Sequence, residues 1–205
     1  MKKTAAFIML LFLSLTSHAG GRAFLDRFHP GIEWGYSATP ARYHHFNYLD
    51  ESIGFRIDEE AWENDCVSNA YFLGKLSFDI SRSLRISAIS GYEGVDTGVC
   101  AIPLSGRMEY AFSGFGTDGF LVFGGAGAAF ISANTSRQGN RFEIGTGYRY
   151  TLAPHTSLGI RVGGRMITDK PDVWDPISEQ YISERNIKRN DARYYALEIG
   201  IELSF

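Results

Sequence analysis

Cysteine is almost absent from this chain. Its two residues, Cys66 and Cys100, show no C-x-x-C spacing, and this gives a redox-active role little support. Long apolar runs are missing as well. Beyond the N-terminus none reaches the roughly 18 residues that a spanning helix needs. The longest, 120–131, is interrupted by Gly124, Gly125 and Gly127, so a membrane-spanning form of this chain has to be a closed barrel. Charge of one sign is scarce. A formal net charge of -3 is too mild to argue for nucleic acid as a partner. No phosphate-binding glycine loop, zinc motif or calcium loop is present, and no cofactor is expected.

What is present begins with an address. Lys2 and Lys3 precede an apolar run over 5–15 and the small-x-small sequence Ser17-His18-Ala19, so residues 1–19 read as a secretory signal peptide and 20–205 as the mature domain. Within that domain, apolar side chains recur at every second position in eight segments: 31–39, 69–80, 84–93, 102–112, 120–131, 141–152, 157–167 and 193–205. Their lengths suit tilted strands crossing a bilayer. The connections 81–83, 113–119 and 153–155 are short, whereas 40–68, 94–101, 132–140 and 168–192 are longer, and the two kinds alternate. An up-and-down barrel places alternate connections on the same side, which matches short periplasmic turns opposite long extracellular loops. A soluble lipocalin-like barrel keeps the strand count but has no reason to sort its loops. Aromatics gather near strand ends: Trp34, Phe78, Tyr110, Phe112, Tyr148, Tyr150 and Phe205 form one expected girdle, and Tyr43, Tyr92, Phe142, Tyr194 and Tyr195 the other.

On these segments the chain resembles the small eight-stranded bacterial outer-membrane barrels, a family that includes the transmembrane domain of outer-membrane protein A and outer-membrane protein X. Its loops resemble those of Bacteroidetes barrels. The resemblance covers nearly the whole mature chain through pattern, without a signature motif. It implies an all-β, eight-stranded, antiparallel transmembrane barrel in the outer membrane, with periplasmic termini and a monomeric state. It also implies contact with lipid and lipopolysaccharide, and a terminal aromatic, Phe205, read by the barrel-insertion machinery. Activity is left open.

With the apolar positions facing lipid, the opposite face of each strand is charged: Glu33, Lys75, Asp79, Arg85, Arg107, Glu109, Arg141, Glu143, Arg149, Arg161, Arg165, Glu198 and Glu202. Buried charges must pair or be hydrated. Arg165 with Glu198 and Arg161 with Glu202 have the same index sum, so one antiparallel register sets both pairs face to face. A symmetric turn at 153–155 places Glu143 opposite Arg165, and one at 81–83 places Asp79 opposite Arg85. The interior of eight strands holds little more than side chains. The expectation is therefore a plugged, ion-paired lumen, with a narrow aqueous channel as the alternative.

Other groups carry chemistry less directly. Export to an oxidising compartment suggests a Cys66–Cys100 disulfide between the first two outer loops. His155-Thr156-Ser157 invites comparison with lipid A deacylase barrels, which use a histidine and a serine two residues apart. Its place in a periplasmic turn argues against that chemistry. His44 and His45 with Asp50 and Glu51, and the run Asp58-Glu59-Glu60 with Glu63 and Asp65, hold possible metal ligands without a known loop spacing. Arg185, Lys188, Arg189 and Arg193 are placed to meet lipopolysaccharide phosphates, and Asn134-Thr135-Ser136 matches a glycosylation sequon. The functional expectation is a non-enzymatic envelope-structural or surface-interaction role through loops 40–68 and 168–192, with an extracellular protein or glycan as ligand. A lipid A-modifying enzyme and a channel or accessory subunit are the alternatives.

Overall fold

The computed structural model describes residues 27–50, 53–133, 136–175 and 179–205. The signal segment 1–19 and the sequon residues Asn134 and Thr135 lie outside them. Segments with a two-residue apolar period become strands because that period suits a wall with one medium on each side. The strands are β1 Phe28–Asp50, β2 Phe55–Glu63, β3 Val67–Asp79, β4 Leu84–Asp96, β5 Val99–Ala111, β6 Gly119–Ser132, β7 Ser136–Ala153, β8 Thr156–Asp169, β9 Trp174–Asp175, β10 Gln180–Tyr181 and β11 Ile187–Ser204. Each strand from β3 to β7 pairs antiparallel with the next, β8 pairs with β11, and β1 pairs with both β11 and β3. The ring is thus closed as an eight-stranded up-and-down barrel. β2 and the β9–β10 pair stand outside the ring.

The loops depart from expectation. Much of 94–101 and 132–140 is strand: β4 and β5 meet at Thr97-Gly98, and β7 already begins at Ser136. Gly98 has φ +69°, a turn conformation that glycine adopts without a Cβ penalty. Only the β1–β3 and β8–β11 connections make long excursions. β1 pairs with β3 as far as Thr39 opposite Val67, and from Arg42 onward it pairs with β2. Pro40 has no N–H for a ladder. It sits where the β1–β11 register shifts, between Ala38 and Ala41.

The wall is sided as a lipid-facing barrel requires. Tyr36, Phe72, Leu76, Leu104, Met108, Ile144, Val162, Leu197 and Ile199 are exposed on the outside, while Glu33, Lys75, Arg107, Glu109, Arg141, Glu143, Arg161 and Glu202 are buried within. A soluble barrel has the reverse polarity, so the exterior is a transmembrane surface. β6, whose frame is ambiguous in the sequence, turns Phe120, Val122 and Phe130 outward and Leu121, Phe123, Ala129 and Ile131 inward. β4 keeps its phase through Ser90. Its register shift lies further on, between Gly94 and Asp96.

Candidate functional site

The interior is organised as one continuous chain of alternating charge. Lys75 Nζ donates to Glu109 Oε1 at 2.6 Å and to Glu202 Oε1 at 2.9 Å. Arg161 Nη2 lies 2.7 Å from that same Glu109 oxygen and 2.5 Å from Glu202 Oε2, and its Nε is 3.8 Å from Glu33. Arg107 joins Glu33 at 2.5 Å to Glu143 at 2.7 Å. Arg141 then links Glu143 at 3.0 Å to Glu93 at 3.1 Å, and Arg165 links Glu93 at 2.8 Å to Glu198 at 3.0 Å. Every barrel strand except β6 contributes a charge. Five cations against six carboxylates leave the chain near neutrality, which burial demands.

β6 contributes an aromatic instead. The guanidinium groups of Arg107 and Arg161 sit 4.8 Å and 4.9 Å from the Phe123 ring centre. Gly145 and Gly163, opposed across β7 and β8, make room for that ring. The ionic chain is closed off at both ends. Toward the termini, Phe115 from the β5–β6 turn is buried with Ala111, Leu121 and Phe123, beneath Arg85 at 4.1 Å and Arg149 at 4.8 Å. Toward the long-loop end, Val95, Ala101, Ala129, Ile131, Ile167, Ala192 and Tyr194 form an apolar layer.

The residues named from the sequence mostly meet, by a different geometry. Arg165 opposes Ala196 and Arg161 opposes Gly200, while Glu198 and Glu202 oppose Gly163 and Gly159. The register is thus two residues away from face-to-face pairing, and the ion pairs are diagonal. The reason is room: each charge faces a glycine or alanine, so its long side chain can lean across a narrow lumen. Glu143 does oppose Arg165, yet it bonds Arg107 and Arg141, and the second carboxylate on Arg165 is Glu93. Asp79 and Arg85 are opposed and joined at 2.5 Å, with His29 3.0 Å from Asp79. Tyr194, expected in the outer girdle, faces inward.

Cys66 and Cys100 are free thiols, contrary to the expected disulfide. Cys100 on β5 is level with Gly94 on β4, whereas Cys66 precedes β3, a further strand away. Two strand spacings of about 4.8 Å already exceed the Cα separation of about 4.4–6.8 Å that a disulfide tolerates. The Cys100 thiol is instead 3.6 Å from the Ser132 carbonyl oxygen.

At the long-loop end, β1 and β2 form a hairpin that rises past the ring. On its outer side the Tyr43 hydroxyl donates to Glu60 at 2.9 Å, and Trp62 packs 5.2 Å from Tyr43 and 5.7 Å from Tyr195. Trp62 is the interfacial aromatic that the sequence reading missed, because it lies outside the eight segments. His45 contacts Asp58 at 2.8 Å, while His44 lies 3.6 Å from Glu59 and 3.4 Å from Glu63. The His45 hydrogen bond holds the Asp58 carboxyl below its usual range. Each histidine is engaged with carboxylates pairwise. Among the described residues no group of three or more ligand side chains is placed to hold a metal ion.

Of the basic residues expected to meet phosphates, Arg193 lies over Tyr43 at 5.5 Å and Arg189 binds Asp191 at 2.8 Å. Lys188 is exposed on β11, where it is the extra residue at the β1–β11 register shift, and Arg185 belongs to a short 3-10 turn, Glu184–Asn186. His155 is exposed in the turn between β7 and β8, at the end of the barrel that carries the termini. Phe205 is half exposed, and its N–H donates to the Pro30 carbonyl at 2.8 Å.

No protein-family model matches the chain, and no curated protein does. Among solved structures the chain is similar to Neisserial surface protein A, at 11% identity and a TM-score of 0.47, over 87% of this chain and 97% of that one. It is also similar to the outer membrane protein OprG from Pseudomonas aeruginosa, at 12% identity and a TM-score of 0.44, over 86% and 95%. A third is the N-terminal β-barrel domain of Pseudomonas aeruginosa OprF, at 13% identity and a TM-score of 0.40, over 85% and 97%.

Proposed function

We propose that this chain is a solute-tight outer-membrane barrel with no enzymatic activity, which acts through its outer surface. The observation that carries this reading is the filled lumen: a buried ionic chain lies between an apolar layer at one end and Phe115 at the other. A pore for polar solutes needs hydrated space along the axis, and these side chains occupy it. The exterior band is apolar, which leaves the long-loop end as the polar surface open to a partner. That surface comprises the β1–β2 hairpin and the segment between β8 and β11, and the partner is an extracellular protein or glycan. Short turns and both termini then face the periplasm. The acyl-transfer alternative draws no support from His155, which is a turn residue on the side away from the outer leaflet.

The test uses the natural thiol of Cys66, exposed between β2 and β3 at the long-loop end. Intact cells expressing the chain are treated with a membrane-impermeant maleimide and then fractionated. Labelled protein in the outer-membrane fraction, with unchanged lipid A acylation in a deletion strain, is the expected result. Protection of Cys66 in intact cells but not in lysates reverses the orientation, and altered lipid A acylation restores the enzyme reading.

A further inference from the structure

Rows on the outside of β7, β8 and β11 change character over two residues. Asn140, Thr168 and Arg193 form one level: the Asn140 N–H donates to the Thr168 hydroxyl at 3.0 Å, and Thr168 opposes Arg193. The next level is Phe142, Met166 and Tyr195, and the one below it is Ile144, Gly164 and Leu197. The two apolar levels surround a groove of about 480 Å³ with Gly164 at its floor. Immediately toward the long-loop end, Gln138, Asn140, Thr168, Lys170 and Arg193, together with the carboxylates Asp169 and Asp191, line a polar notch of about 260 Å³.

Gly164 is not required by the packing of the wall. A side chain there meets only the Ala196 carbonyl oxygen, at an ordinary 3.8 Å. Glycine at this position leaves a channel on a lipid-facing surface where Val162 and Ile160, on the same face of β8, are bulky. The charged side chains lining the notch above it are two cations and two carboxylates. Asp169 is held by Arg137 and Asp191 by Arg189, and among the described residues neither Lys170 nor Arg193 forms an ion pair with a carboxylate. Arg193 lines the notch, and its guanidinium lies over Tyr43 on β1, the other neighbour of β11. A polar notch in which two cations have no ion-pair partner among the described residues, with hydroxyl and amide donors beside them, directly above an apolar groove, has the polarity of a phosphorylated lipid.

From this we infer a specific lipid site on the β7–β8–β11 wall, in which a phosphorylated, acylated lipid of the outer leaflet seats one acyl chain over Gly164 and a phosphate between Lys170 and Arg193. Diphosphoryl lipid A has this chemistry. The site rests on the outer-membrane orientation proposed above, since the reverse orientation puts the notch at the inner leaflet. Arg193 is the member of the basic set that the wall geometry selects; Arg189 serves Asp191, and Lys188 sits at the β1–β11 register shift and does not line the notch.

The experiment is native mass spectrometry and a binding titration of the full chain in detergent micelles. The probes are diphosphoryl lipid A, monophosphoryl lipid A, phosphatidylethanolamine and inorganic phosphate. The expected result is one diphosphoryl lipid A per chain, with the monophosphoryl form and phosphatidylethanolamine each weaker by about tenfold, the scale of one charge-assisted hydrogen bond. Inorganic phosphate alone should not displace the lipid. Gly164→Leu, which fills the groove, and Lys170→Gln with Arg193→Gln, which strip the notch, should each weaken binding by about tenfold. Arg193→Lys should retain most of it. Gly106→Leu, on an open outward glycine of another strand, is the control that leaves binding unchanged. Heat-modifiable migration checks that each variant is folded. Equal affinity across all variants, displacement by inorganic phosphate, or no preference among the lipids overturns the site. If Cys66 is labelled from outside and lipid selectivity is absent, the site fails while the orientation stands; if Cys66 is protected in intact cells, the orientation itself has failed.

Discussion

The Tyr71 hydroxyl occupies the space into which a side chain on Gly200 would project. Gly200 and Gly35 oppose one another across β11 and β1, and together they admit the Tyr71 ring to the lumen wall. Tyr71 is buried there with Leu73 and Ile89. The same device recurs at Gly145 and Gly163 beneath Phe123. Paired glycines thus set where large rings can enter an interior only a few side chains wide.

Gly200→Ala should therefore overpack the lumen and destabilise the barrel by about 1–3 kcal/mol. Gly106→Ala, where a Cβ meets open space on the exterior, should be close to neutral. Urea unfolding from lipid vesicles compares the two. Equal stability of both variants would show that Tyr71 moves aside at no cost.

Glu93 accepts from Arg141 at 3.1 Å and from Arg165 at 2.8 Å and is wholly buried, whereas the close ion pair of Glu198 is with Arg165 and it is a little more exposed. Removing Glu93 strands more charge. Glu93→Gln is expected to cost about 3–5 kcal/mol, and Glu198→Gln clearly less, because Arg165 keeps Glu93. Adding Arg165→Met to Glu93→Gln should recover part of the loss, since Arg141 retains Glu143. A double-mutant cycle reads the coupling, and a value near zero would mean separately hydrated charges.

The Asp58 carboxyl titrates below its ordinary value, first because of the hydrogen bond from His45 and then because of one from Asn47. A depressed carboxylate lends stability above its unfolded pKa of about 3.9 and loses it as pH falls through the folded value. Hydrogen-exchange protection of the β1–β2 hairpin should fall in that acid window and be unaffected by Asp58 titration at neutral pH. In His45→Ala the carboxyl should titrate higher, toward its ordinary value. Carbon-detected NMR of Asp58 measures this directly, and identical titration curves with and without His45 would contradict the contact.

The barrel was legible in the sequence because strand faces are set by parity, and parity survives small errors of register. Arg107, Glu109, Glu143, Arg161 and Glu202 could be assigned inward from their neighbours alone. Glu93 escaped notice because Ile89 and Gly91 precede it on the inner face of β4 and erase the polar alternation that would have marked it. The diagonal pairing of Arg161 and Arg165 was hidden for a different reason. Index sums treat opposed side chains as partners, whereas the glycines and alanine opposite these charges let them reach two residues along. The disulfide expectation came from compartment chemistry, which carries no information on strand spacing. Phe115 looks like an ordinary turn residue, and nothing local to 113–119 indicates that it folds back beneath Arg85 and Arg149.

The occupied lumen is tested most directly by single-channel recording of the refolded wild-type chain in planar lipid bilayers at molar potassium chloride. Side chains from every strand of the ring fill the axis, and Phe115 and the Ile131–Ile167 layer close its ends. The current should accordingly stay at the baseline of the bare bilayer, with no steady open level at either polarity. A stable, ohmic, stepwise conductance would mean that water runs through the charged interior, and would contradict the filled barrel.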